Sequence, residues 1–268
     1  MALQGAVPAT LRVIVTRPWA QAQTLVRELQ SEGIDAVALP LIQIAPVHDL
    51  RPLRRAWREL PQAALAMFVS ANAVQFFMAQ RPAQRDWPAQ TLAGSTGPGT
   101  SAALSAAGVP SDLLVEPTGG IFDSEALWQR LQRRDWQGRR VLVVRGEGGR
   151  DWLAERFGEA GAQVDFVAAY ERQLPQLDGA DQAVLDAARA QPRQHLWLFS
   201  SSEALANLGR LAPGADWSLA CALAPHARIV SSAAQLGFGH VALAAANGPE
   251  LVQAVRSHQS GSIQSGAP

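Results

Sequence analysis

The sequence predicts an α/β protein made of two similar doubly wound parallel-sheet domains, and two observations carry that expectation. Short β-branched or apolar runs alternate with helix-length amphipathic segments, and one stretch of chain recurs without a gap 128 residues later. Strands that are apolar on both faces and separated by helices belong to parallel sheets with helices packed on either side. A repeat of that length exceeds any solenoid unit and reads as a duplicated domain.

The strand-like runs are Arg12 to Val15, Ala36 to Leu39, Leu65 to Val69, Val141 to Val144, Val164 to Val167 and Leu196 to Phe199. Helix starts stand between them. Asp123 precedes the periodic Ala126, Leu127 and Leu131, and Asn247 is placed to cap a helix that opens with Pro249 and Glu250. Gly33, Gly108, Gly161 and Gly237 each follow a helical stretch, where a left-handed C′ glycine belongs. In the repeat, Val13, Val15, Arg17, Leu25 and Gly33 align with Val141, Val143, Arg145, Leu153 and Gly161. FVSANAVQFF from Phe68 resembles FSSSEALANL from Phe199, and GPGTSAALSAAGV from Gly97 pairs more loosely with APHARIVSSAAQLGF from Ala224, so that Pro225 takes the position of Pro98.

Residues 39–46 and 169–175 occupy equivalent places in the two copies and combine proline with extended residues. They are the expected crossings between domains. The first βα unit then rejoins the last third of the chain, giving a discontinuous domain of residues 1–40 plus 175–258, a second domain of residues 41–174 and a flexible polar tail at 259–268.

Composition narrows the function. All 23 basic residues are arginine and are balanced by 23 acids, so the broad basic surplus of a nucleic-acid binder is missing. Without lysine there is no side-chain Schiff base and no Walker lysine. The single cysteine, Cys221, forms no intrachain disulfide and no zinc cluster, and the expected compartment is the reducing cytoplasm. MALQGAVPAT lacks a basic leader and an apolar core, and the most apolar stretch, Ala63 to Ala79, is broken by Ser70, Asn72 and Gln75, so neither secretion nor membrane insertion is expected. No G-x-S-x-G, H-E-x-x-H, G-x-G-x-x-G or metal-spaced histidine pattern is present, which disfavours hydrolase, metal and nicotinamide chemistry.

Ligands of open parallel sheets bind beyond the carboxyl ends of the strands, where helix N-termini point their unpaired N–H groups. The turns so placed are Thr16-Arg17-Pro18, Ser70-Ala71-Asn72, Gly97-Pro98-Gly99-Thr100, Arg145-Gly146-Glu147-Gly148-Gly149 and Ser200-Ser201-Ser202, with His226 opening a further helix. Together they offer N–H donors, hydroxyls and two arginines suited to an anion. Each serine or threonine can equally be a plain helix cap, and RGEGG a merely permissive turn. Tyr170, the only tyrosine, stands where the second copy leaves its sheet. A phenol with an ordinary pKa near ~10 can protonate a leaving oxygen, or can simply pack at a hinge.

VTRPWAQAQTLVRELQSEGIDAVALPLIQI, FVSANAVQFFM, GPGTSAALSAAGV and VLVVRGEGGRDWLAERFGEAGAQVDFVAAYERQLP, in this order and spacing, resemble the uroporphyrinogen-III synthase family from about Leu11 to Val255. The resemblance implies a substrate cleft between the two α/β domains and a cofactor-free lyase that closes hydroxymethylbilane, a linear tetrapyrrole with eight carboxylates, with loss of water and inversion of the last ring. It implies heme biosynthesis, a monomer, and delivery of substrate from hydroxymethylbilane synthase. It places substrate contacts at Thr16, Arg17, Ser70, Ala71, Asn72, Gly97, Thr100, Arg145, Gly146, Ser200, Ser201 and Ser202, and makes Tyr170 the proton donor. The family's glycine-proline-threonine turn in the second copy is replaced by Ala224-Pro225-His226-Ala227, which leaves His226 as a substitute contact. The alternative from a different class is a non-catalytic two-domain binder of an anionic small molecule.

Overall fold

The computed structural model describes residues 11–117, 123–148 and 152–264. Along the chain run β1 (Arg12–Val15), α1 (Trp19–Ser31), β2 (Ala36–Ala38), β3 (Gln43–Pro46), α2 (Arg51–Glu59), β4 (Ala63–Phe68), α3 (Ala71–Met78), β5 (Leu92–Ser95), α4 (Pro98–Ala106) and β6 (Leu114–Val115). They continue with α5 (Ser124–Leu131), β7 (Arg140–Gly146), α6 (Trp152–Glu159), β8 (Gln163–Gln173), α7 (Gly179–Ala190), β9 (His195–Leu198), α8 (Ser202–Leu211), β10 (Cys221–Ala224), α9 (Ala227–Gln235), β11 (His240–Leu243) and α10 (Gly248–Gln264).

Two compact units result: Met1–Gln43 with Gln173–Pro268, and Ile44–Arg172. The sequence places these boundaries at 40/41 and 174/175. The segments expected as crossings contain strand: β3 takes up Gln43–Pro46, β8 runs to Gln173, and the two are neighbours in the second unit's sheet. Helix α10 runs to Gln264, so residues 259–264 are helical where the sequence suggests a flexible tail; residues 265–268 lie outside the described residues, as does Gly149.

In the first unit the strand order is β11-β10-β9-β1-β2, with every adjacent pair parallel. In the second it is β3-β8-β7-β4-β5-β6, with parallel pairing from β8 through β6. Without the edge strand β3, the two orders are the same order read from different starting points in the chain. The register carries the duplication to single residues. Val13 faces Ala36 and Val15 faces Ala38, while Val141 faces Val164 and Val143 faces Phe166. On the other flank Val13 faces Leu196 as Val141 faces Leu65.

The inner strands β1, β9, β4 and β7 bury both faces, the condition that makes them largely apolar. In the second unit Phe68, Ala93 and Val144 pack with Leu53, Phe77 and Leu104 of α2, α3 and α4, while Met67, Val141 and Val143 pack with Leu127, Leu153 and Phe157 of α5 and α6. In the first, Val13, Val15 and Leu198 meet Leu25 and Leu29 of α1 and Leu251 and Val255 of α10. Trp197 and Phe199, on the alternate side of β9, stack on each other and meet Trp217 and Phe238 edge-on.

Gly33 and Gly161 end α1 and α6 at φ of 75° and 84°, and Gly108 and Gly237 are left-handed as well, which bears out the helix stops read from sequence. Asp123 caps α5 through Ala126 N–H. Asn247 stands immediately before α10, and its side-chain oxygen accepts from Arg17.

Candidate functional site

In a doubly wound sheet the ligand crevice opens where successive connections run off in opposite directions. In the second unit this point lies between β4, whose connection leads to β5, and β7, whose connection leads to β8. Val69 and Ser70 leave the end of β4 there, and Arg145 and Gly146 close β7. In the first unit the equivalent point lies between β1 and β9, at Thr16-Arg17 and Phe199-Ser200.

In the second unit the chain brings together Ser70, Gly146 and Tyr170. Ser70 is the N-cap of α3: its hydroxyl accepts from Ala73 N–H at 3.2 Å and lies 3.2 Å from the Tyr170 hydroxyl. A capping hydroxyl that accepts from a backbone N–H retains one proton to donate. Donated to the phenol oxygen, it leaves the phenol's own proton available to a third group. Tyr170 is 2% exposed, its ring 6.1 Å from that of Phe76, with the Arg172 guanidinium 5.8 Å from the ring centre. Gly146 is its partner across the β7–β8 ladder, after a register shift. The alternation of β8 is the signal that could have found Arg172, which stands at i+2 from Tyr170.

Around the same crevice Ala71 is exposed and Asn72 half-buried. Gly97 caps α4 from an extended conformation, while Thr100 faces inward and is buried. Two hydroxyls not anticipated from sequence stand here: Ser95, at the end of β5, bonds Ser101, and Thr96 donates to Val69 C=O. Arg145 lies with its guanidinium 4.3 Å from the centre of the Phe166 ring. A concavity of about 360 Å³ beside it is lined by Arg145, Gly146, Thr96, Ser124 and Arg172.

The first unit treats its equivalent residues differently. Thr16 is 1% exposed and its hydroxyl donates to Leu198 C=O at 2.7 Å, so it ties β1 to β9 and offers nothing to solvent. Arg17 reaches Asn247 Oδ1 at 2.8 Å and Ala246 C=O at 2.5 Å, and burial pulls its pKa below the ordinary arginine range despite the opposing field of Glu28. Ser200 is exposed, Ser201 caps α8 through Glu203 N–H, and Ser202 accepts from Ser232 of α9.

His226 is exposed and is the N-cap of α9. The strand registers give it a different counterpart in the second unit from the one expected. Leu92 faces Leu65 as Cys221 faces Leu196, so Ala224 corresponds to Ser95, Pro225 to Thr96 and His226 to Gly97, the N-cap of α4. Pro225 therefore does not match Pro98.

Among the described residues no His, Cys, Asp or Glu cluster could hold a metal ion, and no helix is long and apolar enough to cross a membrane.

Residues 23–252 match the family model described as Uroporphyrinogen-III synthase HemD. The chain belongs to the uroporphyrinogen-III synthase family. A uroporphyrinogen-III synthase of Escherichia coli (strain K12) is 30% identical over 240 residues, covering 87% of this chain and 95% of that protein. Two solved uroporphyrinogen III synthases share the fold. A mutant form from the extremely thermophilic bacterium Thermus thermophilus superposes with a TM-score of 0.55 at 16% identity, covering 95% of this chain and 99% of its own. The enzyme from Helicobacter pylori 26695 gives 0.55 at 13% identity over 92% and 98%. Membership in the uroporphyrinogen-III synthase family makes this chain an enzyme of heme biosynthesis.

Proposed function

We propose that the chain cyclises hydroxymethylbilane to uroporphyrinogen III, as a lyase without cofactor, and that Tyr170 protonates the departing hydroxyl. The observation that carries this reading is the phenol of the only tyrosine, held at the carboxyl end of its sheet with its hydroxyl 3.2 Å from Ser70 at the head of α3.

The chemistry needs little more. The nitrogen lone pair of the terminal pyrrole expels the hydroxyl, which leaves as water with the proton of Tyr170, and an electrophilic azafulvene remains. The α-carbon of the last ring that already carries a bridging methylene attacks it to give a spiro intermediate. The bond from that carbon to its original methylene then breaks, leaving an azafulvene on the neighbouring ring. The unsubstituted α-carbon of the inverted last ring attacks this in turn, and the proton released on rearomatisation restores the phenol. No oxidant, metal or covalent nucleophile enters this balance. The phenolate formed in between is met by the Ser70 hydroxyl and the positive end of α3. The carboxylates of the substrate suit the N–H groups at the first turns of α3 and α4 and the guanidinium of Arg145.

The test is incubation with freshly prepared hydroxymethylbilane and identification of the macrocycle isomer. Uroporphyrinogen III formed well above the background rate is the expected product. The unflipped isomer alone, at the background rate, overturns the reading and leaves a non-catalytic binder.

A further inference from the structure

We propose that Gly146 is a positioning residue for Tyr170: it acts by lacking a side chain, so that the phenol ring can pack against the end of β7. This rests on the proton-donor reading of Tyr170. The observation behind it is steric. A Cβ built on Gly146 would stand 2.7 Å from both Cε2 and Cζ of Tyr170 and 3.1 Å from its hydroxyl, closer than side-chain carbons approach rings. Backbone conformation is not the reason for glycine, because Gly146 is not among the left-handed residues.

The neighbouring ladder shows how the ring arrives there. Arg145 pairs with Ala168, but Gly146 pairs with Tyr170, so Ala169 is an extra residue on β8. Such a bulge re-aims the side chain that follows it. Val167, Ala169 and Tyr170 accordingly all join the core on the α2–α4 side of the sheet, which strict alternation would forbid. Tyr170 thereby meets Ser70 on one side and Gly146 on another, while its own carbonyl accepts from Glu147 N–H at 3.0 Å. The duplicated half has no counterpart. Pro18 stands at the position of Gly146, and Leu41 and Ile42, at the positions of Ala169 and Tyr170, are aliphatic. The arginine before this position recurs, as Arg17 and Arg145, but the glycine occurs only opposite the tyrosine.

The single tyrosine makes the test direct, since protein grown with 13Cζ-labelled tyrosine gives one resonance. In Gly146→Ala that resonance should move, kcat should fall by about tenfold to a hundredfold as expected for a misplaced donor, and KM should stay within about twofold. In a Tyr170→Phe background the same substitution should lower kcat no further. An unmoved resonance with unaltered kcat, or an equal fractional loss in both backgrounds, overturns the proposal. Tyr170→Phe turning over at the full rate would instead remove the donor role itself, and the positioning role with it. If Gly146→Ala does not fold, Gly146→Ala in a Tyr170→Val background decides: folding restored to the level of Tyr170→Val supports the contact, and no restoration overturns it.

Discussion

The hydroxyls of Ser70 and Tyr170 lie 3.2 Å apart although the residues are 100 positions apart in the chain. One comes from the end of β4 and the other from β8, with β7 between these strands in the sheet. The contact therefore reports whether three strands are in register. We expect Tyr170→Phe to reduce cyclisation by about 10²- to 10⁴-fold, the usual contribution of a positioned proton donor, and more than any single serine-to-alanine change. Ser70→Ala should cost about 1 kcal/mol of stability through loss of the α3 cap and a smaller fraction of turnover. Single-turnover rates with each variant check the order, and equal rates for Tyr170→Phe and the unaltered protein would sink the donor role.

Arg17 is expected to act as a tie within the first unit. Its bonds to Asn247 and Ala246 fasten the end of β1 to the turn before α10. Bonds from a charged group contribute about 1.5–3 kcal/mol, so Arg17→Met should lower unfolding free energy by about that amount, and Asn247→Ala by less. Urea titration of the two variants provides the comparison. A stability unchanged by Arg17→Met would show the guanidinium to be free for other work.

Two tryptophans give a matched pair. Trp57 donates its indole N–H to Phe77 C=O at 2.6 Å, whereas the indole nitrogen of Trp197 has no partner. Both are nearly fully buried. Replacement by phenylalanine removes similar area from each, so Trp57→Phe should cost about 1 kcal/mol more than Trp197→Phe. Equal losses in chemical denaturation would contradict the assignment.

Arg140 bonds both Glu59 and Asp165 across the amino ends of β7 and β8. Hydrogen bonds from Arg55 first, then Arg140, hold the Glu59 carboxyl below its ordinary pKa. A carboxylate lowered by folding adds stability that is complete above its ordinary pKa and is lost as pH falls through the lowered value. Arg140→Gln should thus be less stable than the parent near neutrality, and the gap should narrow below about pH 4. Melting temperatures from pH 7 to pH 3 measure it; a gap that widens on acidification would reverse the sign.

The β-branched runs Arg12–Val15 and Val141–Val144 announce their strands because both faces of a central strand are apolar. The duplication is legible to the residue, since register preserves it. Strands β5 (LAGS), β6 (LV) and β10 (CALA) escape a reading of the sequence, their residues being small or few and lacking β-branched character. The same shortage of landmarks explains the slip that sets Pro225 on Pro98. Ser70 and Ser201 are visible as helix starts, and both serve as caps. The bulge at Ala169, the burial of Thr16 and the bond from Arg17 to Asn247 arise from packing between distant segments, and no local pattern encodes them.

The interruption of the first unit also sets a timetable for the nascent chain. Thr16, at the end of β1, bonds Leu198, at the end of β9, 182 residues later, with the whole second unit synthesised in between. At about 5–20 residues per second, β1 leaves the ribosome roughly 10–40 s before the strand that covers its other edge. Until then the edge of β1 that pairs with β9 along Arg12–Val15 has no partner strand, and the second unit, being continuous, is synthesised first.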